Sequence, residues 1–128
     1  MIYQITRGIK ISVTSHFKGN FLKGRQMQYV FSYRIQIENR SNQAIQLLSR
    51  YWEIKDSLNH SIYVQGEGVV GRQPIIQPGE VYAYTSGCIL KSTTGSMEGY
   101  YTMTDMETET LFTIPIPKFQ LIAGYMLN

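Results

Sequence analysis

The chain has 128 residues, which fits one compact domain over residues 1–128 with a single core. Its one cysteine, Cys88, excludes an internal disulfide framework and any cysteine-based zinc knuckle, and no apolar run approaches the ~20 residues of a membrane-spanning helix. The net charge of +3 divides into +6 before Glu38 and −3 from Glu38 onward, but no Lys/Arg run is dense enough for a nucleic-acid patch, so the basic front reads as a solvated face.

The first residues, MIYQITRGIK, lack the apolar stretch and cleavage site of a signal peptide, so a cytoplasmic protein without a membrane partner is expected. Ile9, Ile11 and Val13 alternate with polar residues and predict a strand with one buried face. Gly19-Asn20 and Gly24 then read as turn signals. Tyr29, Phe31, Tyr33, Ile35 and Ile37 give the clearest strand of the chain, closed by the polar turn NRSNQ. In AIQLLSRYWEIKD the phase of Ile45 and Leu47 breaks at Leu48 and resumes at Trp52 and Ile54, which predicts a bulge near residues 47–49. Trp52 is expected in the core, and Arg50 and Tyr51 are expected to face outward. Ile62–Val64 reads as a strand, 66–80 as a loop, and Val81–Leu90 as a strand interrupted at Gly87. Met97–Met103 and Leu111–Ile116 follow, the latter short or at an edge because of Pro115 and Pro117, and the tail after Phe119 carries no clear pattern. Ten tyrosines, five phenylalanines and the absence of helical windows agree with seven to eight strands. The expected fold is all-β: an antiparallel β-sandwich of the immunoglobulin or fibronectin type III kind.

Residues 66–71, GEGVVG, have the G-x-G-x-x-G spacing of a dinucleotide-binding turn. That turn requires a following helix to hold the pyrophosphate. Here RQPIIQPGE follows, and Pro74 and Pro78 cannot sit in such a helix. Two readings remain. One is a glycine turn with Val69 and Val70 tucked onto the core; the other is a phosphate-binding nest of backbone N–H groups on Gly66, Gly68 and Gly71, with Arg72 beside it. His16 and His60 are expected in exposed turns without metal-ligand neighbours, Cys88 as a small buried hydrophobe, and Asp56 and Asp105 as turn formers. No catalytic set and no metal site can be assembled from these residues.

The stretches LLSRYW, VQGEGVVGRQPIIQPGEVYAYTSGC and GSMEGYYTM, with YVFSYRIQIENRSNQAIQL before and FTIPIPKFQL after, resemble the ApaG family over nearly the whole chain. Tyr51 and Arg72 stand where many members have His and Glu, so no role resting on those two side chains carries over. The resemblance implies a fibronectin type III-like domain of a bacterial cytoplasmic protein associated with cobalt and magnesium efflux or tolerance. It also implies protein–protein contacts, as made by related domains in eukaryotic F-box and polymerase-interacting proteins. Nucleotide or pyrophosphate binding at the glycine motif would fall on Gly66, Gly68 and Gly71. The expected function is therefore a non-enzymatic protein-interaction module without a cofactor. Its partner is an unknown protein or a second copy in a homodimer. The alternative is a phosphate-, pyrophosphate- or nucleotide-binding protein using the 66–71 loop.

Overall fold

The computed structural model describes residues 1–124, and among them are nine strands and no α-helix. They are β1 (Ile2–Thr6), β2 (Ile9–Lys23), β3 (Gln26–Asn39), β4 (Ile45–Asp56), β5 (Ile62–Glu67), β6 (Ile75–Ile76), β7 (Val81–Leu90), β8 (Thr94–Asp105) and β9 (Leu111–Ile122). One sheet has the order β1-β2-β3-β7 and the other β5-β4-β8-β9, with β6 added to β4; every pairing is antiparallel. This is the expected sandwich. The strands beyond the expected seven to eight are β1 and the two-residue β6. The end of the tail, residues 125–128, lies outside the described residues.

The alternating apolar residues fill the space between the sheets. Ile11, Ile35 and Ile37 from one sheet and Leu47, Met103 and Ile114 from the other are completely shielded from solvent. Trp52 is buried as expected, with Tyr33 edge-on at 5.5 Å and Phe119 at 5.9 Å between ring centroids, distances at which aromatic pairs attract. Asn39, fully buried at the end of β3, ties the NRSNQ turn down. It donates to the carbonyls of Gln43 and Ile76 at 2.8 and 2.9 Å and accepts from Ser41 N at 3.0 Å.

Several expected boundaries move. The chain does not turn at Gly19-Asn20: β2 runs on to Lys23 and absorbs Lys18 as a bulge between Phe17 and Gly19. Only Gly24-Arg25 turns, a two-residue hairpin with Gly24 at φ 64°. His16 therefore lies on an exposed strand position rather than in a turn, whereas His60 is exposed in the turn after β4. β7 passes through Gly87 unbroken, and the expected loop 66–80 begins and ends with pairing, at Gly66–Glu67 in β5 and in β6. β9 is an edge strand, where its two prolines remove no inter-strand donor that a central position would need. It is nevertheless 12 residues long, with a register shift opposite Met97 and Gly99.

The bulge in β4 falls where the phase break placed it, between Leu47 and Ser49. Ile45 and Leu47 point inward before it; Trp52 and Asp56 point inward after it. Trp52→Ala should destabilise the chain by about 3–5 kcal/mol, the range for buried aromatics truncated to alanine. Urea unfolding checks this, and a loss below ~1 kcal/mol would contradict the packing described.

Candidate functional site

The glycine loop is built from three different local demands. Gly66 closes β5 opposite Arg50 of β4. A Cβ there would stand 2.8 Å from one Arg50 Nη and 2.9 Å from the other, so the guanidinium lies flat against the bare glycine. Gly68 has φ 64°, and a Cβ on it would strike the Arg72 carbonyl. Gly71 has φ 76° with open space around it. Val69 and Arg72 exchange backbone hydrogen bonds of 2.8 and 3.0 Å across Val70-Gly71. With Val70 at φ 47° both central residues are left-handed, as in a type I′ turn. Val69 is completely buried, as expected, but Val70 is 62 % exposed. No helix follows the loop.

Little of the loop's backbone is left for a ligand. Gly68 N–H donates to Leu48 O at 2.8 Å, and the Val69 and Arg72 amides serve the turn. The amides of Val70 and Gly71, at the tip, have no partner among the described residues. Arg72 is exposed.

Arg50 does not face outward as expected. Two residues from Trp52, it shares the inner face of β4, between Gly66 on β5 and Tyr101 on β8. One Nη donates to Glu67 O at 3.0 Å and Gly68 O at 2.9 Å, pinning the loop. No carboxylate of the described residues forms an ion pair with it. It borders a cavity of about 290 Å³ between β7 and the β4–β5 pair, with Tyr33, Trp52, Tyr84 and Ser86 around it and the Val69–Gly71 turn over it. Trp52 Nε1 is buried without an acceptor. Tyr84 and the fully buried Tyr101 share a hydroxyl–hydroxyl hydrogen bond, and burial pushes both phenols well above their ordinary range. A cavity of equal volume beside Arg7, Ser41 and Phe112 differs in having its charges engaged. There Arg7 lies over the Phe112 ring at 5.2 Å, and Asp105 Oδ1 accepts from Glu107 N and Thr108 N, the expected turn role.

Tyr51 faces outward as expected and stacks on Tyr100 of β8 at 5.0 Å and on Tyr63 of β5 at 6.3 Å. The three rings form a ladder across the outer face of the second sheet. Cys88 is half-buried rather than buried and packs against the core. Burial and then the Asp56 carboxylate push its thiol up to about 11, so it is protonated at neutral pH. His16 lies across β3 from Gly87, on the opposite face from Cys88, so His16 and Cys88 form no nucleophile–base pair. Asp56 is more than a turn former: it is buried, and its carboxylate accepts from Lys91 N at 2.7 Å. Among the described residues no three His, Cys, Asp or Glu side chains gather as a metal site, and no helix is long and apolar enough to cross a membrane.

The chain and its sandwich have relatives among known proteins. The ApaG domain model matches residues 20–105. The chain belongs to the ApaG family. The Protein ApaG of Mesorhizobium japonicum is 43% identical over 121 residues, 94% of this chain and 92% of the relative. That of Proteus mirabilis is 42% identical over 120 residues, 94% and 95% of the two chains. A Bordetella pertussis crystal structure, described as an ApaA protein, superposes with a TM-score of 0.82 at 38% identity over 94% of both chains. A structural-genomics X-ray structure reaches 0.86 at 36% identity, covering 90% of this chain and 86% of that one. None of these ApaG names carries an enzymatic activity.

The loop geometry separates its glycines experimentally. Gly71→Ala should cost only the ~1–2 kcal/mol of a left-handed L-residue, whereas Gly68→Ala should cost more because its Cβ also meets the Arg72 carbonyl. Equal losses in urea unfolding would contradict this. The tyrosine pair sets an alkaline limit. In the unfolded chain both phenols ionise near 10, while in the folded chain they stay protonated well above it. The unfolded state then binds fewer protons, so their contribution to stability is intact below about pH 10 and falls as pH rises further. Melting curves from pH 8 to 12 check this, and Tyr84→Phe with Tyr101→Phe should flatten that fall.

Proposed function

We propose that this ApaG-family chain is a non-enzymatic interaction module whose contact face is the outer surface of β5-β4-β8. The observation that carries the reading is the stacked ladder of Tyr63, Tyr51 and Tyr100. Tyr63 is 60 % and Tyr100 38 % exposed, so large aromatic surface is held out in water on a rigid sheet. Rigid exposed tyrosines offer contact area at a low ordering cost, which is why interfaces are rich in them. Glu53 and Glu98, paired with Lys55 across the same face, supply a polar rim. The family's association with cobalt and magnesium efflux would then run through the partner, which is another protein or a second copy of this chain.

A photo-crosslinking residue at position 63 should give a discrete adduct in the source cells, while one at Lys10, on the other sheet, should not. Adding Tyr51→Ser and Tyr100→Ser to the position-63 crosslinker chain should lose the adduct with circular dichroism unchanged. An adduct at twice the chain mass identifies a homodimer. Equal labelling from both faces would refute the reading.

A second reading keeps the loop of Gly66, Gly68 and Gly71 as a phosphate or nucleotide site. The unpartnered Val70 and Gly71 amides favour it. Pyrophosphate should then shift those two amide resonances saturably and less so as salt rises; a flat titration at low salt removes the reading.

A further inference from the structure

We propose that the cavity under the glycine loop is a binding site for a small aromatic monocarboxylate, whose carboxylate is held by Arg50. This goes beyond the contact-face reading and does not rest on it.

The first argument is charge. Arg50 is turned inward, and its partners are the neutral carbonyls of Glu67 and Gly68. No carboxylate of the described residues pairs with it, although Glu67 also borders the cavity. A cation partly withdrawn from water without a counter-ion is costly, and an incoming carboxylate offsets that cost. The second is donor geometry. One Nη is occupied by the two carbonyls, which leaves the other Nη and Nε, an edge that matches the two oxygens of a carboxylate. The third is shape. Tyr33, Trp52 and Tyr84 give an aromatic wall, and about 290 Å³ is at the small end for ligand pockets. The charge count separates carboxylate from phosphate. Arg50 is the one cation and Glu67 the one anion of the wall, so each further negative charge on a ligand adds repulsion, and a carboxylate monoanion is favoured over a phosphate dianion.

Trp52 is the only tryptophan of the chain, so tryptophan fluorescence reads a single position, and that position borders this cavity. Titration with benzoate should give a saturable change, and titration with benzamide, the neutral isostere, or inorganic phosphate should not. Arg50→Gln should weaken benzoate roughly tenfold or more, the loss of a charged hydrogen-bonded pair. Gly66→Ala gives a second test, because its Cβ displaces only the flexible end of Arg50, 2.8 Å away; it should weaken benzoate with the fold intact by circular dichroism. If Arg50→Gln does not fold, Gly66→Ala decides. The proposal is overturned by no saturable benzoate response, by an equal response to benzamide, or by undiminished affinity in the folded variants. A phosphate response matching benzoate would overturn it too. Pyrophosphate shifts at Val70 and Gly71 that persist in Gly66→Ala would belong to the loop tip and not to this cavity.

Discussion

The site depends on one extra residue in β4. Leu48 has no counterpart on β8, where Leu47 faces Met103 and Ser49 already faces Thr102. A bulge interrupts the ladder locally and shifts the side-chain phase by one. Before it Ile45 and Leu47 face inward; after it Arg50 and Trp52 do, and Tyr51 faces out. The same bulge leaves the Leu48 carbonyl free to anchor the glycine loop. It accepts from Gly68 N at 2.8 Å and from Gln73 Nε2 at 2.9 Å. Removing the extra residue would put Arg50 and Trp52 on the solvent face and take away the loop's anchor together.

The spacing G-x-G-x-x-G arises here from packing. In a dinucleotide turn the glycines let backbone approach pyrophosphate and a helix receive it. Here the first glycine makes room for a guanidinium, the second lets two backbone segments approach, and the third supplies half of a type I′ turn. A β-branched residue with positive φ is strained, and Val70 has it at 47°, with its side chain 62 % exposed, over the cavity. The neighbouring contacts hold it: Arg50 binds the carbonyls of Glu67 and Gly68, and Val69 is sealed into the core. A loop fixed this firmly roofs a cavity without needing to close on a ligand.

What could be read from the chain follows from how local each signal is. The β3 alternation, the bulge at Leu48 and the core position of Trp52 are written in consecutive residues and are present in the structure. β1 was not legible because its residues are mostly exposed and it is a strand only by pairing with β2. Gly19 signals a turn in isolation, but the strand beside it imposes a bulge instead. Arg50 illustrates a different failure. It was expected outward with Tyr51 as an interface residue, whereas its position two residues from Trp52 puts it in the inward phase. The structure resolves the conflict with a bare glycine on the next strand and two carbonyl acceptors, neither of which is visible from residue 50 alone.

The two surfaces of β4 divide the chemistry. On the outer face the side chains are aromatic and stacked, with their charges paired at the edges, so that face offers contact area and few unmet polar demands. On the inner face the demand is polar. A guanidinium without a counter-ion borders a cavity walled by Tyr33, Trp52 and Tyr84 together with Glu67, Ser86 and the Val69–Gly71 turn, and the Trp52 indole N–H is buried without an acceptor. Buried polar groups left unmatched are destabilising and are retained only against some compensating gain. Part of the gain is structural, since Arg50 pins the loop. The pinning accounts for a long donor at position 50; the charge that this donor carries has no carboxylate partner among the described residues, and it is the charge that an anionic ligand would meet.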